Sequence, residues 1–141
     1  MNVVSLFANI GIGEAYLDSL GFSVVVANEL EPKRADIYKQ IYPNTEMICG
    51  DITDKKVYSS IVKAASKHKI DVLMATPPCQ GMSTAGKQDK YDQRNGLFLH
   101  AVDLIKDLKP DYFIFENVPG FMTTSIIYNG QPRLIPEILK D

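Results

Sequence analysis

The chain is poor in cysteine: among its 141 residues only Cys49 and Cys79 carry thiols. Two thiols cannot lay out a disulfide framework, so a reducing, cytoplasmic setting is the expectation. Long apolar runs are also missing; none approaches the roughly 18 residues that crossing a bilayer requires. The opening stretch MNVVSLFANIGIGEAYLDSLGF has no basic region ahead of its apolar residues. It reads as a strand and a turn rather than a secretory leader. Positive charge is not in excess, with 15 Lys and Arg against 17 Asp and Glu and a net charge of -2. Bulk attraction to polyanions is thereby excluded, and any grip on phosphates has to come from a local cluster or from another polypeptide. His68 and His100 stand apart at helical positions, with no Cys/His spacing suited to a metal, so no metal is expected. Internal repeats and low-complexity segments are absent from the sequence as well.

What is present is an ordinary globular composition, 45% hydrophobic and 23% charged, at a length that points to one domain. Apolar runs predict strands over Asn2 to Phe7, Ser23 to Asn28, Glu46 to Cys49, Asp71 to Ala75 and Asp111 to Phe115. Val24-Val25-Val26 and Tyr112-Phe113-Ile114-Phe115 do not alternate, which suits strands covered on both faces. Helical patterns fill the gaps: a short one over Gly13 to Leu20, then Pro32 to Tyr42, Asp54 to Lys67 and Gly96 to Leu108. Pro32 fits a first helical turn. Val57, Ile61 and Ala65 form one stripe, and Leu97, Ala101, Leu104 and Leu108 another. Strand and helix thus alternate, which predicts an α/β fold with a doubly wound, mostly parallel sheet and right-handed crossovers. The segment Gln131 to Asp141 reads as a final helix, with further strands expected beyond it, so the chain is expected to be part of something larger.

Ligands on such sheets bind at the carboxyl ends of the strands, and those ends carry the informative residues. Phe7-Ala8-Asn9-Ile10-Gly11-Ile12-Gly13 follows the first strand; it is either a plain strand-to-helix turn or a place where a ligand approaches the backbone. Asn9 is a residue type that tolerates unusual backbone angles. Glu29 ends the second strand about 20 residues later, where a carboxylate can accept both ribose hydroxyls, or is simply solvated. After the third strand, Asp51 either meets an adenine amino group, with Ile52 packing on the ring, or Asp51 or Thr53 merely caps the next helix. Cys49 reads as a small core residue. After the fourth strand comes Thr76-Pro77-Pro78-Cys79-Gln80-Gly81-Met82-Ser83. Two prolines fix the backbone ahead of Cys79, a pre-positioning from which a nucleophilic thiol benefits. Glu116 leaves the fifth strand. Neighbouring strands lie about 4.8 Å apart, so Cys79 and Glu116 can reach one small molecule. A carboxyl in a dry cleft there would have a raised pKa and serve as a proton donor.

Taken in order, these segments resemble the DNA cytosine-5 methyltransferases. Phe7-Ala8-Asn9-Ile10-Gly11 is similar to that family's F-x-G-x-G turn, Asn28-Glu29-Leu30-Glu31 to its ribose-binding acidic segment, and Gly50-Asp51-Ile52 to its adenine segment. Pro78-Cys79-Gln80 resembles the catalytic P-C-Q, Arg94-Asn95-Gly96-Leu97-Phe98 the R-G-x-L-F, and Glu116-Asn117-Val118 the E-N-V. Four positions depart from the pattern. Ser5 stands where the family often has aspartate, Asn9 and Ile12 where it has glycine, and Leu30 where an aromatic often covers adenine. The arginine motif, the target-recognition domain and the returning C-terminal helix of the family are not found in the chain.

The resemblance implies a truncated, Rossmann-like S-adenosylmethionine-dependent methyltransferase domain over residues 1–141. Its cofactor would be held by Phe7, Ala8, Asn9, Ile10, Gly11, Glu29, Leu30, Asp51, Ile52, Pro78 and Leu97, and leave as S-adenosylhomocysteine. Cys79 would add to C6 of a flipped-out cytosine while Glu116 holds the ring N3. Ser83, Lys87, Gln88, Lys90 and Arg94 lie in a long polar loop that would close over the base from the DNA side. The implied partners are double-stranded DNA, a second polypeptide carrying the recognition domain, and another copy of the chain through the truncated sheet edge. The implied setting is a prokaryotic or phage-related cytoplasm, with a role in DNA methylation such as restriction–modification. Two other readings stay open on the residues alone: a non-catalytic scaffold built on the same domain, and a nicotinamide-dependent oxidoreductase suggested by the glycine turn and Glu29. Against the latter, Gly11 and Gly13 are followed by Tyr16 instead of a third small residue.

Overall fold

A computed structural model describes residues 1–78 and 96–141. The apolar runs become β1 (Asn2–Leu6), β2 (Ser23–Glu29), β3 (Glu46–Cys49), β4 (Val72–Ala75) and β5 (Tyr112–Phe115). They pair in parallel, in the order β3-β2-β1-β4-β5. The predicted α/β fold, a doubly wound parallel sheet, is therefore present. β1 sits at its centre, hydrogen-bonded to β2 and β4, and Val3, Val4, Ser5 and Leu6 are all buried. Its lack of alternation reflects cover on both faces.

Helix α1 (Pro32–Ile41) packs on one face, where Tyr38 is fully buried against Ala8 and Ala27. Helices α2 (Lys55–Ala65) and α3 (Leu97–Leu108) cover the other. Their predicted stripes point inward: Ile61, Ala65, Ala101 and Leu104 are buried, and Val57, Leu97 and Leu108 are half-buried beside them. Full burial of a side chain such as Ile61 or Leu104 contributes about 1.5–3 kcal/mol. Asp54 caps α2, its carboxylate accepting the Lys56 amide at 2.6 Å. The capping role considered for Asp51 or Thr53 thus falls to Asp54; Asp51 instead accepts the Thr53 amide at 2.9 Å, closing the turn ahead of it.

Four expectations are corrected. The helix predicted over Gly13 to Leu20 is a run of turns ending in one 3-10 turn, Asp18–Leu20, closed by Gly21 at φ 82°. Ile12, Tyr16 and Leu20 remain exposed, so no apolar stripe holds this segment; its inward anchor is Glu14, buried and accepting the Ser5 hydroxyl. The helix predicted over Gln131 to Asp141 is shortened, its first four residues forming the second strand of a hairpin. Strands β6 (Ser125–Tyr128) and β7 (Gln131–Leu134) pair antiparallel, and only the short α4 (Ile135–Ile138) is helical. Asn129 and Gly130, at φ 52° and 77°, make the mirror-image turn that two-residue hairpins favour. β5 is not covered on both faces: it pairs with β4 alone among the described strands, and Tyr112, Phe113 and Ile114 are exposed. Cys49 is exposed rather than in the core, since it ends an edge strand.

Candidate active site

The carboxyl ends of the central strands are tied to one another by side chains that also carry the candidate chemistry. Phe7 and Asn9, just past β1, have left-handed backbones at φ 59° and 54°. Asparagine accepts that conformation far more readily than most residues, which accounts for its presence where glycine is usual. The turn is held from both sides. The Asn9 amide donates to Glu29 Oε2 at 2.8 Å, and the Thr76 hydroxyl donates to the Phe7 carbonyl at 3.0 Å. Glu29 is buried, its other oxygen accepting the Glu31 amide at 2.9 Å. Each carboxylate oxygen retains a second acceptor site.

Asn28, also buried, donates to the carbonyls of Ile48 at 2.9 Å and Gly50 at 3.1 Å, fixing the turn after β3. Gly50 has φ 149°, and a Cβ there would lie 2.7 Å from Val57, so the turn packs directly on α2. Gly11 has a similar cause: a Cβ would lie 2.2 Å from the Tyr42 ring, whose hydroxyl donates to the Gly11 carbonyl. Its missing side chain therefore serves packing against α1.

These turns enclose a cavity of about 240 Å³. Phe7 and Asn9 line it from β1; Asn28, Glu29, Leu30 and Arg34 from β2 and α1; Gly50, Asp51 and Ile52 from β3; Pro78 and Leu97 from the far side. Drug-sized ligands occupy roughly 300–1,000 Å³, so this cavity suits a nucleoside-sized portion of a ligand. An acidic group with spare acceptor sites beside Phe7, Ile52 and Leu97 suits a ribose joined to a flat apolar ring. Eight of the expected cofactor residues thus meet here: Phe7, Asn9, Glu29, Leu30, Asp51, Ile52, Pro78 and, from α3, Leu97. Ala8 is buried against α1, Gly11 packs on Tyr42, and Ile10 is half-buried between them in sequence; they shape the turn and are not among the lining residues.

Cys79 lies outside the described residues, as do Ser83, Lys87, Gln88, Lys90 and Arg94. The backbone leading to the cysteine is described: Pro77 is buried and Pro78 exposed. Glu116 follows β5, its amide donating to the Ala75 carbonyl at 3.1 Å, and it is exposed rather than enclosed in a dry cleft. Asn117 links the two exits. Its Nδ2 donates to the Pro77 carbonyl at 2.9 Å, while its Oδ1 accepts the Val118 amide at 2.9 Å. Sequence reasoning quoted Asn28 and Asn117 within their motifs but gave them no role, and it missed Arg34. An amide side chain beside a strand end was the available signal for the first two, because such ends expose backbone groups that need partners.

Beneath the glycine turn lies a second polar group. Burial pushes the Glu14 carboxyl up from its ordinary range, against the lowering effect of the Ser5 hydrogen bond. Burial and the nearby Glu14 also push up the Tyr38 phenol, whose hydroxyl meets no partner at full hydrogen-bond geometry among the described residues. Among the described residues no group of His, Cys, Asp and Glu is placed to hold a metal ion, and no helix is long and apolar enough to cross a membrane.

Sheet order, crossovers and the cavity at the strand ends define a Rossmann-like methyltransferase domain, partial relative to its relatives. The chain belongs to the C-5 cytosine-specific DNA methylase family, whose profile matches residues 1–129. Members of this family depend on S-adenosylmethionine. The chain is 42% identical over 143 aligned residues to the type II methyltransferase M1.HgaI of Avibacterium volantium, covering 98% of this chain and 40% of that protein. It is 33% identical to M.XorII of Xanthomonas oryzae pv. oryzae, over 83% of this chain and 28% of that one. A solved prophage-encoded DNA modification methyltransferase of E. coli superposes with a TM-score of 0.69 at 29% identity, over 86% of this chain and 33% of the other. The chain thus spans well under half the length of these relatives and corresponds to their amino-terminal portion.

Proposed function

We propose that this chain is the cofactor-binding and catalytic half of a DNA cytosine-5 methyltransferase, and that residues 1–141 are a partial catalytic domain whose recognition domain is supplied elsewhere. The observation that carries the reading is the cross-tying of the strand ends. Asn117 fastens the Glu116 exit to the Pro77 carbonyl two residues before Cys79, and Pro78 borders the cavity that Glu29 and Asp51 also line.

S-adenosylmethionine, when bound, supplies an electrophilic methyl group. Glu29 would accept the ribose hydroxyls through its free acceptor sites, its position set by the Asn9 and Glu31 amides. Asp51 would accept the adenine amino group, with Ile52 and Leu97 excluding water from the ring. Cys79, as thiolate, would add to C6 of an extruded cytosine. Glu116 would hold N3, so that the electron pair released from the C5–C6 double bond is stabilised on the ring and C5 becomes nucleophilic. After methylation, loss of the C5 proton and of the Cys79 sulfur restores the aromatic ring and the free thiolate. The loop carrying Ser83, Lys87, Gln88, Lys90 and Arg94 would meet the DNA backbone, each cation adding a modest, salt-dependent contribution.

A remaining domain, on the same polypeptide or on a partner, fits this reading. The exposed Tyr112, Phe113 and Ile114 on β5 form an open sheet edge of the kind that pairs with another chain, or with a second copy. The test is methyl transfer from S-adenosylmethionine to cytosine-containing DNA, by the chain alone and mixed with the remaining portion of M1.HgaI. The expected result is no transfer alone and Cys79-dependent transfer in the mixture. Robust transfer by the chain alone would refute the need for a second part. Cofactor and DNA binding without transfer in the mixture would favour the scaffold reading.

A further inference from the structure

Helix α1 opens with Pro32, Lys33 and Arg34 and has no acid in its first turn. Cations there oppose the helix macrodipole, which favours negative charge at that end. Arg34 therefore sits where its own helix disfavours it. The compensation visible in the fold is Glu29, whose Oε1 lies 4.0 Å from the Arg34 guanidinium. That contact is slight: Glu29 is buried and already takes two backbone amides, and the Arg34 side chain is 55% exposed. Yet Arg34 lines the cavity, beside Leu30 and with Ile52 across from the neighbouring strand. Leu30 is 64% exposed and offers no flat surface.

We propose that Arg34 is a cofactor-binding residue of this chain, its guanidinium plane covering the adenine ring whose ribose Glu29 holds. An arginine supplies a planar, weakly hydrated cation that stacks on flat π systems, which leucine cannot. The Glu29 carboxylate, 4.0 Å away, keeps the guanidinium at the mouth of the cavity, where an arriving ring can meet its plane. The inference rests on the proposed S-adenosyl reading of the cavity.

The test is an amide-resolved NMR titration with S-adenosylhomocysteine, which measures weak binding in the chain as it is. Arg34→Ala should weaken binding about 5–20-fold. Arg34→Lys keeps a charge beside Glu29 but no plane, and should weaken it nearly as much. Adding Leu30→Trp to Arg34→Ala should restore affinity to within about twofold of wild type, because an aromatic face then replaces the guanidinium. Glu29→Gln provides the separate control on the cavity itself. If Glu29→Gln loses binding while Arg34→Ala retains it, the Arg34 proposal falls and the cavity reading stands. If Arg34→Lys binds like wild type, only charge matters and stacking is overturned. If the wild-type chain shows no shifts at Asn9, Glu29 or Asp51, both fall together.

Discussion

Asn117 donates its side-chain amide to the Pro77 carbonyl at 2.9 Å, across the gap between the fifth and fourth strands. One hydrogen bond therefore couples the backbone ahead of Cys79 to the residue next to Glu116. Asn117→Ala leaves the Pro77 carbonyl and the Val118 amide without this partner. It should lower stability by about 1–3 kcal/mol, read by urea denaturation. In the complemented enzyme it should lower methyl transfer by at least about tenfold, while S-adenosylhomocysteine affinity stays near wild type. An equal loss of cofactor affinity would assign Asn117 a general structural role.

Asn9 sits at φ 54° with its amide on Glu29. Asn9→Gly should leave stability nearly unchanged. Asn9→Val should lower it by about 1–2 kcal/mol, since a branched side chain is disfavoured in the left-handed region. Thermal melts of the two variants make the comparison.

Gly50→Ala should be severely destabilising, because its Cβ would lie 2.7 Å from Val57 at φ 149°. Combining it with Val57→Ala relieves the clash but not the backbone strain, so recovery should be partial. Chemical denaturation of the single and double variants checks this.

Burial raises the Glu14 carboxyl, with Ser5, Tyr38 and Tyr42 the polar groups that bear on it. The unfolded chain loses this proton near the ordinary glutamate value of about 4.3, before the folded chain does. In that window the folded state binds more protons, so stability falls as pH rises and levels off above the folded value. Glu14→Gln keeps an acceptor for Ser5 and cannot ionise. The stability of wild type relative to Glu14→Gln should therefore decline from about pH 4 upward, read by denaturation series of both proteins.

The sheet was legible because its strands are short apolar runs set between helical patterns and turn residues. The run Glu46–Cys49 matches β3 residue for residue, and Pro32 marks the start of α1. Failures fall where a local rule competed with the one applied. Gly13 to Leu20 reads as a short amphipathic helix, but the buried Ser5–Glu14 pair anchors the segment, and a polar anchor leaves no periodic trace. The turn chemistry of Asn129-Gly130 was overlooked beside a short helix-like tail. Within the site, motif residues at strand ends were readable one by one. The bonds joining those ends, Thr76 to Phe7 and Asn117 to Pro77, span about 40–70 residues of sequence and no spacing rule reveals them.

The most direct test of the proposed chemistry is covalent trapping of DNA containing 5-fluorocytosine, with S-adenosylmethionine and the complementing polypeptide, followed by peptide mass spectrometry. Fluorine at C5 cannot leave as a proton does, so the account predicts a stable protein–DNA adduct on Cys79, absent in Cys79→Ser and sharply reduced in Glu116→Gln. DNA and cofactor binding with no adduct, or an adduct that survives Cys79→Ser, would contradict it.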